Sequence, residues 1–298
     1  MIAADDLKFF LEVARTKRLT AAAKGLDVDH TTVGRRITAL ERAMGNRLFD
    51  RAPTGWVLTD AGQDLIVHAE VIESALLAAM EASLSGAGRL SGTVRIATPD
   101  GFGAFLLAPN LEEMCTSHPS LDVEVVTATR HDALATREFD VAVTLERPSP
   151  RLVEISELAD YRLGLYASAR YLATRTTISS ILDLHDHTLI GYVDSLLDVP
   201  ALRVLDDVLP GHRTRVQTNN ITGQWKAASA GLGVAALPLY IGDTDPELIR
   251  ILPEEVSIVR KYWLVVPREL QRLARVRIAV AMLRSIALTH PKLVTRVS

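Results

Sequence analysis

The sequence has little cysteine, few aromatic residues and no long apolar run. Its 298 residues include one cysteine, Cys115, and only 5% Phe, Trp and Tyr. A single cysteine excludes an intramolecular disulfide and any zinc or iron–sulfur site built from several cysteines. No stretch reaches the roughly 18 uninterrupted apolar residues of a membrane-spanning helix. With 48% hydrophobic and 23% charged residues, the composition is typical of a globular protein of two or three domains.

The first residues also lack the pattern of a secretory signal. Asp5 and Asp6 stand where such a signal carries positive charge, and no apolar stretch follows them. We therefore expect a cytoplasmic protein, which agrees with the lack of disulfides. Cys115 lies in the segment LEEMCTSH, which we interpret as a helix with a buried thiol rather than a redox sensor.

Charge is distributed unevenly along the chain. Residues 1–92 hold 11 Lys and Arg against 12 Asp and Glu, residues 93–257 hold 13 against 23, and residues 258–298 hold 9 against 1. The net charge of −3 therefore says little about whether one part of the chain binds an acidic partner such as nucleic acid. The positions of individual arginines are more informative.

The first 62 residues are typical of short helices joined by tight turns. An amphipathic stripe indicates a first helix, Thr20 is expected to cap a second over 21–26, and Asp29 a third that ends at Gly45. Residues around Pro53 and Gly55 predict a hairpin within 48–59. The third helix has a narrow apolar stripe, which consists of Val33, Ile37, Leu40 and Met44.

A long helix is predicted from Asp60 to about Ser85. Its apolar seam has spacings of four and three residues in turn and contains Leu65, Ala69, Ile72, Leu76, Ala79 and Ser83. A seam rich in alanine permits close pairing with a second helix. We expect this pairing to join two copies of the chain through Leu65, Ala69, Ile72 and Leu76. The alternative is packing against the C-terminal region of the same chain. Glycines at 86, 88 and 92 then form a linker.

After the linker, short β-rich segments alternate with helical ones. Strands are predicted at 93–98, 123–127, 140–145, 162–167, 188–193, 213–218, 233–237 and 262–266, and helices at 105–117, 221–230 and 270–286. This alternation predicts parallel βαβ units. Its length suits two α/β subdomains with a cleft between them.

Short helices, a tight turn and a hairpin together make a winged helix-turn-helix. In this arrangement the third helix enters the major groove of DNA and presents its N-terminal half to the base edges. Gly34, a poor helix former, indicates a close backbone approach there. The alternative is a small helical domain with a solvated basic face. The predicted DNA contacts are His30, Thr31, Thr32, Gly34, Arg35, Thr38, Arg51 and Thr54.

The segment from Leu7 to Gly62 resembles the N-terminal domain of the LysR-type transcriptional regulators. The matching stretches are LKFFLEVARTKRLTAAAKGL, VDHTTVGRRITALERAMGNRLFDR and VLTDAG. The long helix and the α/β region follow in the order and length of that family. The resemblance implies a nucleoid-associated homodimer or homotetramer that binds an interrupted palindrome, with RNA polymerase as a further expected partner.

Two departures from the family pattern affect the recognition helix. Members often have Ser-Gln-Pro or Ser-Gln-Ser where this chain has Asp29-His30-Thr31, and serine where it has Gly34. Base preferences are therefore not transferable. Asp29 would repel phosphate if it were exposed, but we interpret it as the helix cap.

The resemblance also implies a periplasmic-binding-protein-like domain with a small-molecule effector in its cleft. The chain then divides into a winged helix-turn-helix at 1–62, a linker helix and hinge at 63–92 and an effector-binding domain at 93–298. Effectors of such folds lie at the carboxyl ends of strands. Asp100 disfavours a plain carboxylate effector, unless Arg130 or a cation offsets its charge, and favours an amine or several hydroxyls. The expected contacts are Thr98, Asp100, Phe102, Gly103, Thr129, Arg130, Tyr192, Ser195, Asn219 and Asn220.

An enzyme, or a solute-binding protein with a helical interaction domain, is the alternative. The sequence contains no G-x-S-x-G, no phosphate-binding G-x-x-x-x-G-K-[ST] and no H-E-x-x-H. His185 and His187 are weak candidates for a metal site, since they are two ligands one residue apart in a predicted loop. We therefore expect no catalytic residue, no metal and no cofactor.

Overall fold

A computed structural model describes residues 4–52, 55–84, 90–127, 139–148, 153–197 and 199–295. The chain folds into two compact units. The first comprises the described part of residues 1–89 together with Glu269–Ala274, and the second the described part of residues 90–268 and 275–298.

The first unit consists of helices and one hairpin. Its described elements are α1 (Ala4–Thr16), α2 (Leu19–Gly25), α3 (His30–Met44), β1 (Phe49–Ala52), β2 (Gly55–Leu58) and α4 (Asp60–Leu84). The predicted hairpin is confirmed, because β1 and β2 pair antiparallel. The prediction that Thr20 caps α2 is wrong, because this helix already begins at Leu19 and is preceded by Arg18, which makes no side-chain cap.

One apolar core holds the first unit together. The predicted stripe of α3 faces it, since Val33, Ile37 and Leu40 have no exposed surface. Phe10 of α1 is equally buried, and its ring centroid lies 5.2 Å from that of Phe49. The side chains of α1, α3 and the hairpin thus exclude water from a common centre, which sets the orientation of α3.

The second unit is an α/β domain. Its described strands are β3 (Ser91–Thr98), β4 (Ser120–Thr127), β5 (Val141–Thr144), β6 (Val153–Ser168), β7 (Leu189–Tyr192), β8 (Thr214–Thr218), β9 (Val234–Pro238), β10 (Leu248–Ile251), β11 (Ile258–Pro267) and β12 (Leu293–Val294). Its described α-helices are α5 (Asp100–Phe102), α6 (Glu112–Ser117), α7 (Ala169–Leu172), α8 (Val204–Val208), α9 (Ile221–Ser229), α10 (Leu239–Gly242) and α11 (Ala274–Thr289).

The strands follow the order β4-β3-β5-β11-β6-β9-β7-β8, with β10 and β12 also paired to β6. Strands β4, β3 and β5 are parallel, as are β9, β7 and β8, and the antiparallel pair β11 and β6 joins the two sets. This arrangement gives two α/β halves linked by two long strands. It confirms the predicted class, and it places the carboxyl ends of β3 and β7 at the site described below.

Several details differ from the sequence-based predictions. In place of the helix predicted at 105–117, the structure has the end of a π-helical turn at Gly103–Leu107, a 3₁₀ turn at Ala108–Asn110 and α6. Pro109 lacks an N–H group, so a regular helix cannot continue through it. The prediction of a buried Cys115 is wrong, because its side chain is exposed on α6.

Part of the stability of the second unit should depend on pH. His187 is buried, and its ring nitrogens lie 3.2 Å from the hydroxyls of Tyr171 and Thr176. Burial, with a smaller effect of Arg175, lowers the pKa of His187 below its ordinary 6.5. The unfolded chain therefore binds the proton first, so this stabilisation is complete above pH 6.5 and is lost as the pH falls through the lower folded-state value.

Urea unfolding at about pH 7.5 and 5.5 tests this expectation, since both values lie well above the carboxylate range. The free energy of unfolding should decrease at the lower pH, and His187→Gln should reduce the decrease. His290, whose pKa burial also lowers, should account for part of what remains. A variant with the wild-type pH dependence would contradict the assignment to His187.

Neither a membrane span nor a clustered metal site occurs in the described ranges. No helix there is long and apolar enough to cross a membrane. Nor does any group of three or more His, Cys, Asp and Glu side chains stand close enough together there to hold a metal ion.

Candidate functional site

The N-terminus of α3 is fixed by its own cap. A carboxylate oxygen of Asp29 accepts hydrogen bonds from the Thr31 amide at 2.8 Å and from the Thr31 hydroxyl at 2.5 Å. These bonds lower the pKa of Asp29, so the cap is ionised at neutral pH. The predicted cap is confirmed, and it leaves His30 and Thr31 exposed at the first turn of the helix.

The two adjacent arginines of α3 have different environments. Arg36 donates to Asp6 of α1 at 3.0 Å, and its guanidinium carbon lies 5.6 Å from the centroid of the Phe9 ring. Arg35 is exposed and has no ion-pair partner among the described residues. Arg36 therefore holds α3 against α1, whereas Arg35 is available to a partner outside the chain.

The remaining predicted contacts on α3 surround Arg35. Thr32, Gly34 and Thr38 are half-buried, and the Thr38 hydroxyl donates to the Gly34 carbonyl at 2.9 Å. On the hairpin, Arg51 is exposed and its guanidinium carbon lies 5.0 Å from the centroid of the Trp56 ring. Thr54 lies outside the described residues.

Gly34 is not required by packing within the chain. A Cβ atom at this position would meet only Leu19 Cδ1, at 3.8 Å, which is an ordinary contact. Because alanine favours helix over glycine, Gly34→Ala should raise the free energy of unfolding of the first unit by about 1 kcal/mol. Urea unfolding followed by Trp56 fluorescence measures this change, and a destabilised variant would contradict the prediction.

A cavity of about 130 Å³ lies between the two halves of the second unit. We call it the cleft cavity. Asp100 lines it from the end of β3, and Tyr192 lines it from the end of β7. These two predicted effector contacts are thus brought together at the carboxyl ends of neighbouring sets of strands, as the fold rule requires.

Most of the other predicted effector contacts do not line the cleft cavity. The prediction is wrong for Phe102, whose fully buried ring packs edge-on against Tyr262 with centroids 5.0 Å apart. Asn220 caps α9 by accepting from the Gly223 amide at 2.6 Å. Thr98 and Gly103 are buried, Ser195 and Asn219 are exposed, and none of these four lines the cavity. Thr129 and Arg130 lie outside the described residues.

Tyrosines that the sequence did not indicate form one wall of the cleft cavity. The rings of Tyr161 and Tyr262 stack with centroids 4.2 Å apart, and the hydroxyls of Tyr240 and Tyr262 lie 2.6 Å apart. Burial raises the pKa of Tyr192 and of these three tyrosines above the ordinary value. These tyrosines are therefore uncharged at neutral pH, and they form an aromatic part of the cavity lining.

The charged groups that line the cleft cavity carry more negative than positive charge. Arg203 donates to Asp194 at 2.8 Å and lies 3.6 Å from Asp206. All three line the cavity together with Asp100, and His212 lies 3.5 Å from Asp206. Only Arg203 among these groups is permanently cationic. No sequence motif marks Arg203 or Asp206, because they come from a connection without a recognisable pattern.

The fold and the two sites define a DNA-binding regulator with a ligand-binding domain. Residues 4–63 match the bacterial regulatory helix-turn-helix proteins of the lysR family, and residues 87–287 match the LysR substrate binding domain. The chain belongs to the LysR family of transcriptional regulators, whose members combine these two domains.

Individual relatives support this assignment. The chain is 25% identical to the iron-regulated virulence regulatory protein IrgB of Vibrio cholerae over 240 residues, which are 80% of each chain. It is also 25% identical to the mau operon transcriptional activator of Paracoccus denitrificans over 261 residues, which are 88% of each chain. Both matches extend over most of the chain and therefore include both domains.

Solved structures show the same fold. A full-length OxyR variant from Pseudomonas aeruginosa matches with a TM-score of 0.73 at 18% identity and covers 96% of this chain and 97% of its own. Full-length LysG from Corynebacterium glutamicum with bound effector Arg matches with a TM-score of 0.64 at 20% identity, over 94% and 98%. At these identities the likeness concerns architecture alone.

Proposed function

We propose that this regulator reads an interrupted palindrome through Arg35 and the exposed first turn of α3. The observation that carries the proposal is the contrast between the two arginines, since Arg36 is ion-paired to Asp6 and Arg35 is exposed with no ion-pair partner in the part of the chain that the structure describes. An arginine on the outer face of a recognition helix can donate two hydrogen bonds to one guanine. His30, Thr31, Thr32 and Thr38 contact neighbouring edges or phosphates, and Arg51 and Thr54 contact the backbone.

The proposed regulator is a homo-oligomer that pairs through α4. Ile72 and Leu76 are 40% and 51% exposed, four residues apart on one face of the helix. Large apolar side chains at this spacing are typical of a helix that buries them against a second helix. The prediction is wrong for Ala69, because this residue is fully buried in the core of the first unit, against which Leu65 also packs.

Effector binding in the cleft cavity controls transcription by changing the arrangement of the two DNA-binding domains. A ligand does this only if it has different affinities for the two arrangements. We place the oligomer in the cytoplasm on the nucleoid, where it acts on RNA polymerase at a nearby promoter. We assign it no catalytic residue and no cofactor.

Selection of fragmented source DNA on the purified protein at two salt concentrations tests this function. The wild type should enrich a few sites with two related half-sites, and Arg35→Ala should reduce that enrichment by at least about tenfold. Arg284→Ala, which removes an exposed arginine from α11, is the matched control and should leave enrichment unchanged.

The salt series separates base reading from charge attraction. Binding to phosphates alone weakens steeply as salt increases and does not favour particular sites. If the wild type and Arg35→Ala bind DNA alike, and only at low salt, α3 does not read bases. If neither enriches any site, the DNA-binding proposal fails.

A further inference from the structure

A carboxylate of the chain already occupies the N-terminus of α9. Asp100 Oδ2 accepts from the Thr222 amide at 3.0 Å and from the Thr222 hydroxyl at 2.8 Å, across 122 residues of sequence. Thr222 is the second residue of this nine-residue helix. The unpaired N–H groups and dipole of a helix N-terminus favour an anion, and here Asp100 provides it.

The same contact joins the two halves around the cleft cavity. Asp100 comes from the end of β3 in one half, and α9 belongs to the other. Next to it, the Phe105 ring packs edge-on against Trp225 of α9 with centroids 5.1 Å apart. A ligand anion bound at the N-terminus of α9 would accept the same hydrogen bonds from Thr222. In this chain Asp100 accepts them and so connects the two halves.

We propose that Asp100 takes the place of an anionic ligand group at α9, and that the effector of this chain is therefore a small amine without a carboxylate. This inference rests on the proposed function, since it concerns the effector of the same cleft. It also assigns Asp100 and Gln224 as the residues that determine effector specificity.

The charge and the aromatic lining of the cleft cavity favour a cationic ligand. Its carboxylates are Asp100, Asp194 and Asp206, against the single guanidinium of Arg203. One oxygen of Asp100 accepts both hydrogen bonds from Thr222, and no hydrogen bond from another described residue to the second oxygen is found. The stacked rings of Tyr161 and Tyr262 form part of the lining, and aromatic surfaces attract cations.

A buried amide indicates a second polar group on the effector. Gln224 is only 2% exposed and lines the cleft cavity, yet its Nε2 has no hydrogen-bond partner among the described residues. It lies three residues after Ile221, on the face of α9 that borders the cavity. A buried donor without an acceptor is costly. An effector with a hydroxyl or carbonyl oxygen near its amine would satisfy this donor.

Three probes with one carbon skeleton test the charge preference by calorimetry on the full-length protein. They are 2-phenylethylamine, 2-phenylethanol and phenylacetate. The wild type should bind the amine at least about tenfold more tightly than the acid. Asp100→Ala empties the N-terminus of α9 and should reverse this order, with phenylacetate affinity increased at least about tenfold.

Two further variants keep the test decisive. Asp100→Asn retains an acceptor for Thr222, so it should fold like the wild type and lose the preference for the amine. Gln224→Leu should remove whatever affinity the hydroxyl of 2-amino-1-phenylethanol adds over 2-phenylethylamine. Failure of Asp100→Ala to gain phenylacetate affinity would overturn the inference, as would an unchanged amine preference in Asp100→Asn.

The same proteins are assayed for site-selective DNA binding without probes. If Asp100→Ala enriches the wild-type sites but gains no phenylacetate affinity, the effector inference fails and the proposed function stands. If the ligand preferences reverse as expected while the wild type selects no DNA sites, the proposed function fails and the inference about ligand charge stands.

Discussion

Replacement of Leu76 by glutamate is expected to dissociate the homo-oligomer and to weaken operator binding by about a hundredfold or more. Leu76 is 51% exposed on α4 in the isolated chain, one turn after the exposed Ile72. In a paired helix these side chains would be buried, so a carboxylate there would lose its hydration without gaining a partner. Because each copy carries the substitution, the interface would contain two such carboxylates.

The loss of operator affinity follows from geometry. Two linked DNA-binding domains make the second half-site contact intramolecular, and this gain in effective concentration disappears when the copies separate. Sedimentation analysis gives the mass of each variant, and a labelled operator titration gives its affinity. Both quantities should change together.

Leu182→Glu is the matched control for this experiment. Leu182 is 72% exposed and lies in the second unit, so the same chemical change there should alter neither mass nor operator affinity. If Leu76→Glu has the mass of the wild type, α4 does not form the contact between copies.

The seam of α4 illustrates what a periodic pattern predicts and what it leaves open. Spacings of four and three residues correctly predict one apolar face on the helix. They do not distinguish between partners, because burial against the same chain and burial against a second copy require the same side chains. Ala69 has no exposed surface, so the N-terminal part of the seam belongs to the core of the first unit, and only its continuation is open to pairing.

Local signals were reliable for α3, although the predicted cap of α2 was wrong. The cap at Asp29, the stripe of α3 and the end of the helix at Gly45 depend on neighbouring residues, and the structure has all three. The separate roles of Arg35 and Arg36 were not predictable in this way. The partner of Arg36 is Asp6, 30 residues earlier, and only the folded chain brings them together.

The effector site was predicted less well. The end of a strand predicts which edge of the sheet a residue lies at, but it does not predict the direction in which the side chain points. Asp100 and Phe102 are two residues apart after β3, yet the first lines the cleft cavity and the second is buried in the core. Both residues belong to α5, and residues two apart on a helix point to nearly opposite sides. No sequence pattern pointed to Gln224, because it is distinguished only in the folded chain, where its buried Nε2 finds no hydrogen-bond partner among the residues that the structure describes.

Gly62→Ala should destabilise the first unit by about 3 kcal/mol, close to the upper range for added bulk in a packed site. A Cβ atom at this position would clash with the Leu48 carbonyl oxygen and lie 2.9 Å from Leu58 Cδ2. The Leu48 oxygen also accepts from the Thr59 amide at 3.0 Å. The backbone before β1 is therefore held against the start of α4 and cannot move away without breaking this bond.

Urea unfolding in a background where Trp56 is the remaining tryptophan reports on this unit alone. The matched comparison is Gly34→Ala, which makes the same change where a Cβ atom has space and should stabilise rather than destabilise. Opposite signs at the two glycines would show that the approach of α4 to Leu48, and not the loss of a glycine as such, determines the outcome. Because this close approach holds the hairpin in place, Gly62→Ala should also weaken the contribution of Arg51 to DNA binding. Equal free energies of unfolding for Gly62→Ala and Gly34→Ala would contradict the close contact at Gly62.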